Sequence, residues 1–180
     1  MKRCFIVVDY QIDFVAGHMG FEGAKLLEKP IAAKIREYRA DGGDIIFTLD
    51  NHAENYLEAC KRRSRPAPSE VDGNENWLLY GEVGVLREEG DFCFRKSTYG
   101  SDMLYSHLKR TRYSSIELAG VSSDICVLAN AVLARTARPD AEILIDASCT
   151  ASADEALNKA ALNIFEGLKI KVIGKKGQCP

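Results

Sequence analysis

A chain of 180 residues with 46% hydrophobic and 28% charged side chains has the size and composition of one globular domain spanning residues 1–180. Its 24 basic and 26 acidic side chains leave a formal charge of −2, which gives no basic face for nucleic acid or an anionic membrane. The apolar run at residues 5–8 stops at Asp9, too soon for a secretory leader or a membrane span. The six cysteines, Cys4, Cys60, Cys93, Cys126, Cys149 and Cys179, are widely spaced and form no CxxC pair. That is the usage of reduced thiols, so a cytoplasmic protein acting on a small molecule is expected.

Residues 4–8 (CFIVV) form a short β-branched run of the kind buried on both faces of a sheet. A loop with Gly17, Gly20 and Gly23 follows. Residues 26–40 then repeat apolar side chains at helical spacing (Leu27, Ile31, Ile35, Tyr38) and stop at Gly42-Gly43. Residues 44–49 are a second strand ending on Asp50. Residues 51–73 are polar, with Pro66, Pro68 and a basic cluster at 61–65; a loop longer than about 15 residues is usually functional or mobile. The cluster reads as a solvated face.

Residues 76–88, with Trp77, Leu78, Val83 and Leu86, predict a short, broken helix with Trp77 packed on the core. A third strand at 91–94 runs into Arg95-Lys96, and a helix at 101–112 turns Leu104 and Leu108 inward. The fourth strand covers 115–121, and the helix at 124–137 carries Cys126. A fifth strand at 142–147, an amphipathic helix at 153–168 and a sixth strand at 170–173 complete the chain. Short apolar strands alternating with helices indicate an α/β domain with a largely parallel sheet.

Parallel sheets bind ligands at the carboxyl ends of their strands. This chain places Asp9, Asp50 with His52, Lys96, and the segment leading to Cys126 at such ends. Asp9, Lys96 and Cys126 carry a coherent chemistry. Asp9 serves as general base and then acid; Lys96 supplies fixed positive charge; Cys126 attacks a carbonyl to form a thioester that water hydrolyses. A thiol in the first helical turn, beside a lysine, is expected to favour the thiolate. Backbone N–H groups around Ser122 and Cys126 lie where an oxyanion needs donors, each typically worth ~3–4 kcal/mol. His18 and His107 have no strand-end setting, which disfavours a Cys–His pair.

The ordered segments VVDYQIDF (7–14), FTLDNH (47–52), RKSTYGS (95–101) and GVSSDICV (120–127) resemble the isochorismatase-like cysteine hydrolases, the nicotinamidase/pyrazinamidase branch above all. The resemblance implies a three-layer, Rossmann-like domain with a six-stranded, mostly parallel sheet in order 3-2-1-4-5-6. It implies catalytic Asp9, Lys96 and Cys126, with Lys96 reaching inward from two strands away from Asp9. It further implies a cis peptide between Val121 and Ser122 that aims the Ser122 N–H, with that of Cys126, into an oxyanion hole. Phe14 and Tyr99 match positions that line the substrate pocket, and the resemblance implies a homo-oligomer, dimer or tetramer.

The chemistry requires no cofactor, but the resemblance implies a zinc-like divalent metal at Asp50 and His52. There it would hold the ring nitrogen of a pyridine substrate. The remaining ligands are altered: residues 69–74 read SEVDGN where relatives carry a His-Cys-x-x-Gly-Thr-like segment, and Lys61 stands where some carry Glu. Zinc usually takes three or four protein ligands, so Glu58, Glu70 or water is left to complete the site. The expected function is hydrolysis of the C–N bond of a small carboxamide, nicotinamidase-like, through a thioester. The alternatives are isochorismatase-type or other small-amide (carbamoyl or ureido) hydrolysis, and a non-catalytic member of the family.

Overall fold

The computed structural model describes residues 2–50 and 77–175. Strands β1 (Lys2–Val8), β2 (Asp44–Asp50), β3 (Phe92–Lys96), β4 (Tyr113–Val121), β5 (Glu142–Ala151) and β6 (Lys171–Ile173) form one six-stranded sheet in the order β3-β2-β1-β4-β5-β6. Every adjacent pair is parallel, as a sheet covered by helices on both faces requires.

Side chains alternate across the sheet and build two cores. Cys4, Ile6, Val8, Ile116 and Leu118 meet α5 (Asp102–Arg110), α6 (Leu128–Ala137) and α7 (Glu155–Gly167) through Leu104, Leu108, Ala131, Ala134 and Phe165. Phe5, Val7, Phe47 and Val121 face the other way. They pack on α1 (Ile12–Val15), α2 (Glu22–Lys25), α3 (Glu28–Ala40) and α4 (Gly81–Val85), chiefly through Val15, Ile31, Ile35 and Val83. Helix starts are set locally: the Ser101 hydroxyl accepts the Leu104 N–H at 3.1 Å to cap α5, and Asp154 Oδ1 accepts two amide N–H groups of α7.

Several elements differ from expectation for visible reasons. The loop of Gly17 to Gly23 contains the start of α2, and α3 begins two residues later than the periodicity predicts. The third strand extends through Lys96, because its last backbone groups pair in register with Leu49 and Asp50. The helix predicted over 76–88 shrinks to α4. The backbone before it is spent on docking against the segment after β1: Ile12 N–H donates to Leu78 C=O at 2.9 Å and Tyr80 N–H to Tyr10 C=O at 2.9 Å. Trp77 is half-buried beside this segment, its ring beneath the Arg95 guanidinium.

The helix predicted over 124–137 opens instead as a π-helical turn, Ser123–Val127, before α6 begins. Its mark is the Val127 N–H donating five residues back, to Ser122 C=O at 3.0 Å. The peptide between Val121 and Ser122 is cis. Among the described residues no helix is long and apolar enough to cross a membrane.

Candidate active site

The strand order makes β1 and β4 neighbours at the point where the chain's winding reverses, so the residues following them share one crevice. Asp9 leaves β1 with φ +50°, a left-handed conformation that Asp tolerates better than most residues. Gly120 pairs with Val8 at φ +109°, and a Cβ there would overlap the Val8 carbonyl oxygen. A bare backbone at this position lets β1 and β4 run together up to the crevice. Asp9 and Cys126 then stand on its two sides.

Lys96 joins them from the far side of β2 and β1. Its Nζ lies 2.7 Å from Asp9 Oδ2, 3.4 Å from Asp50 Oδ2 and 3.7 Å from Cys126 Sγ, and donates to the Thr98 carbonyl at 2.9 Å. All three residues of the expected catalytic set are buried: Asp9 is 1% exposed, Lys96 5% and Cys126 8%. The inward reach expected of the Lys96 side chain is therefore made. Around this centre, the Thr48 hydroxyl donates to Asp9 Oδ1 at 2.7 Å, leaving Oδ2 toward the ammonium. Gln11 grips the Asp50 backbone from both ends, accepting its N–H at 2.8 Å and donating to its C=O at 3.3 Å.

The protonation pattern follows from burial and charge. Burial pushes the Asp9 carboxyl up, opposed by the Lys96 ammonium and aided by Asp50, and it settles at about 6. Burial alone would lower Lys96, but the Asp9 carboxylate, with Asp50, outweighs it and holds the ammonium charged. Burial first, then the Asp9 charge, raises the Cys126 thiol well above its ordinary range despite Lys96. This corrects the thiolate expected from a helix start. Cys126 sits fourth in a buried π-turn facing the carboxyl groups of Asp9 and Asp50, which favours the thiol.

The Asp9 and Asp50 oxygens and the Cys126 sulfur lie within 4.8 Å of one another, a donor set with the geometry to hold a cation. The Lys96 ammonium already touches all three, so a dication placed there would face a buried positive charge at contact distance. Of the residues named for a metal, Asp50 is thus engaged with Lys96. His52, Glu58, Lys61, Glu70 and the SEVDGN segment lie outside the described residues.

Tyr99 stands three residues beyond β3 and is 41% exposed. Phe14, in α1, is half-buried against the core cluster of Tyr10, Phe47 and Val121. His107 is far from this chemistry; it hydrogen-bonds the hydroxyl of Tyr113, the first residue of β4, at 3.0 Å, at the opposite edge of the sheet. Sequence reading missed Thr48, Gln11 and Asn130. Thr48 and Gln11 sit inside two of the quoted motifs, but only the fold turns their polar groups onto Asp9 and Asp50. Asn130 gave no signal, since a lone Asn in a helical run reads as surface.

Residues 3–175 match the isochorismatase domain family. The chain is 30% identical over 144 residues to an uncharacterized isochorismatase family protein, PncA, of Bacillus subtilis (strain 168), spanning 73% of this chain and 78% of that protein. Its fold superimposes on nicotinamidase PncA from Bacillus subtilis with a TM-score of 0.84 and 26% identity, covering 96% of this chain and 99% of the other. A pyrazinamidase/nicotinamidase from Streptococcus mutans UA159 gives 0.82 and 27%, covering 96% and 100%. With the strand order and the buried Asp–Lys–Cys centre, these likenesses make the chain a member of the isochorismatase family.

Proposed function

We propose that this chain is an amide hydrolase that cleaves the C–N bond of a small carboxamide through a thioester on Cys126, as a nicotinamidase does. The observation that carries the reading is the buried contact of Lys96 Nζ with both Asp9 Oδ2, at 2.7 Å, and Cys126 Sγ, at 3.7 Å. The likeness to nicotinamidases over nearly the whole chain supports it.

In this reading Asp9 takes the Cys126 proton as the sulfur bonds to the carboxamide carbon. The backbone N–H groups of Ser122 and Cys126 receive the oxyanion, and Lys96 offsets the charge passing between sulfur and carboxylate. Asp9 then hands the proton to the leaving nitrogen; ammonia departs and the thioester remains. Water attacks the thioester, gives a proton to Asp9, and releases the carboxylic acid with Cys126 restored as the thiol. Keeping the nucleophile neutral until attack suits a centre that already holds two carboxylates.

Phe14 and Tyr99 form the walls on which a planar amide stacks. A zinc-like ion on Asp50 and His52 would anchor a pyridine ring nitrogen, and the hydrolytic steps above run without it. The test is ammonia release from a panel of amides that includes nicotinamide and pyrazinamide. Release should fall at least ~10³-fold in Cys126→Ala with the fold retained. No release from any amide, or undiminished release in the variant, overturns the reading. Stoichiometric metal in the purified protein points to nicotinamide; its absence points to amides without a ring nitrogen to anchor. The homo-oligomer, dimer or tetramer, stays part of the proposal, and its check is light scattering.

A further inference from the structure

Asn130 lies in the first turn of α6 with none of its surface exposed. Its side-chain amide is fully engaged: Oδ1 accepts the Ser101 N–H at 3.0 Å, and Nδ2 donates to the carbonyls of Tyr99 at 3.1 Å and Cys126 at 2.8 Å. A buried amide is tolerated where its groups are paired, and Asn is a poor helix former, so its place here is decided by what it joins.

It joins two segments that the sheet does not. Lys96 ends β3 and Cys126 follows β4, and β2 and β1 stand between those strands. Ladder hydrogen bonds therefore set the spacing of Lys96 from Cys126 only through three successive strand pairings. The Asn130 amide spans the gap directly. On one side it holds residues 99–101, continuous with Thr98, whose carbonyl grips the Lys96 ammonium at 2.9 Å. On the other it holds the nucleophile's own carbonyl. The bridged segment lies close on α6: a Cβ at Gly100 would come 2.7 Å from Leu133 Cδ1.

We propose that Asn130 is a positioning residue: its amide ties the 98–101 segment to the Cys126 backbone and so sets the ammonium of Lys96 against the nucleophile. The role rests on the reading of Cys126 as nucleophile, but the bridge has a consequence that needs no substrate. A displacement of about 1 Å in such a centre costs on the order of 10²-fold in rate.

Two variants separate bridging from mere filling. Asn130→Asp keeps the shape and the acceptor for Ser101 but turns an oxygen toward two carbonyls. Asn130→Thr can still bond the carbonyl four residues back, that of Cys126, and loses the link to residues 99–101. The control is Tyr38→Phe, which removes a buried 2.7 Å hydrogen bond to Glu117 on the α3 side of the sheet. In both Asn130 variants kcat should fall by about 10- to 100-fold, far more than KM changes. Iodoacetamide alkylation of Cys126, followed on its own peptide at one pH, should slow by about fivefold or more. Tyr38→Phe should leave both quantities within about twofold. The proposal is overturned if Asn130→Thr is as stable as Tyr38→Phe and keeps wild-type alkylation at Cys126. If the wild type hydrolyses no amide, the hydrolase reading fails, and alkylation still decides the role of Asn130.

Discussion

Replacing Lys96 with Met tests the charge logic of the site most directly. Met keeps the length and most of the volume of the buried stem and deletes the ammonium. Asp9 and Asp50, 1% and 8% exposed, then lose the cation that stands 2.7 and 3.4 Å from them. Removing one partner of a buried pair costs about 3–5 kcal/mol, because the other charge is left unpaired away from water. In a domain of this size that lowers Tm by about 6–20 °C.

The penalty must depend on pH. Burial already raises the folded-state value of Asp9 to about 6, above the ~3.9 of an unfolded chain, and losing Lys96 raises it further. A group raised on folding contributes stability that is fully present below its unfolded value and is lost as pH climbs through the folded one. The deficit of Lys96→Met relative to wild type is therefore smaller near pH ~5, where Asp9 is protonated in both folded proteins, than near pH ~8. Urea unfolding of both proteins at the two pH values measures it. Equal deficits at both, or a deficit below about 1 kcal/mol at the higher pH, would refute the account of Lys96 as counter-ion to buried carboxylates.

Because Asp9 must be deprotonated to act as base, kcat/KM on a responsive amide should climb with pH through about 6 and then level off. Asp9→Asn should lose that limb along with the activity; a limb persisting in residual Asp9→Asn turnover would assign it to another group. Gly120→Ala should cost at least about 2 kcal/mol, since its Cβ meets the Val8 carbonyl at φ +109°, whereas Gly42→Ala, at φ +71° with open space around it, should cost about 1. Equal urea midpoints for the two variants would deny the close approach of β1 and β4.

What sequence alone determined is whatever depends on local pattern. Six short apolar runs alternating with helical segments define the α/β class, and strands running out at Asp9, Asp50 and Lys96 mark the edge where chemistry gathers. Neighbouring residues encode these features, so they are legible in the chain itself. The protonation state of Cys126 was not legible in this way. A thiol near a helix start reads as a thiolate until folding buries it and sets Asp9 and Asp50 around it. The π-turn, the docking of residues 78–80 that shortens α4, and the grip of Thr48 and Gln11 were hidden for the same reason. Each depends on a partner at least 39 residues away in sequence or on a backbone hydrogen bond that leaves no compositional trace. Asn130 is the clearest case: its bond to the Cys126 carbonyl is local, but its two bonds to residues 99 and 101, about 30 residues away, exist only in the folded chain.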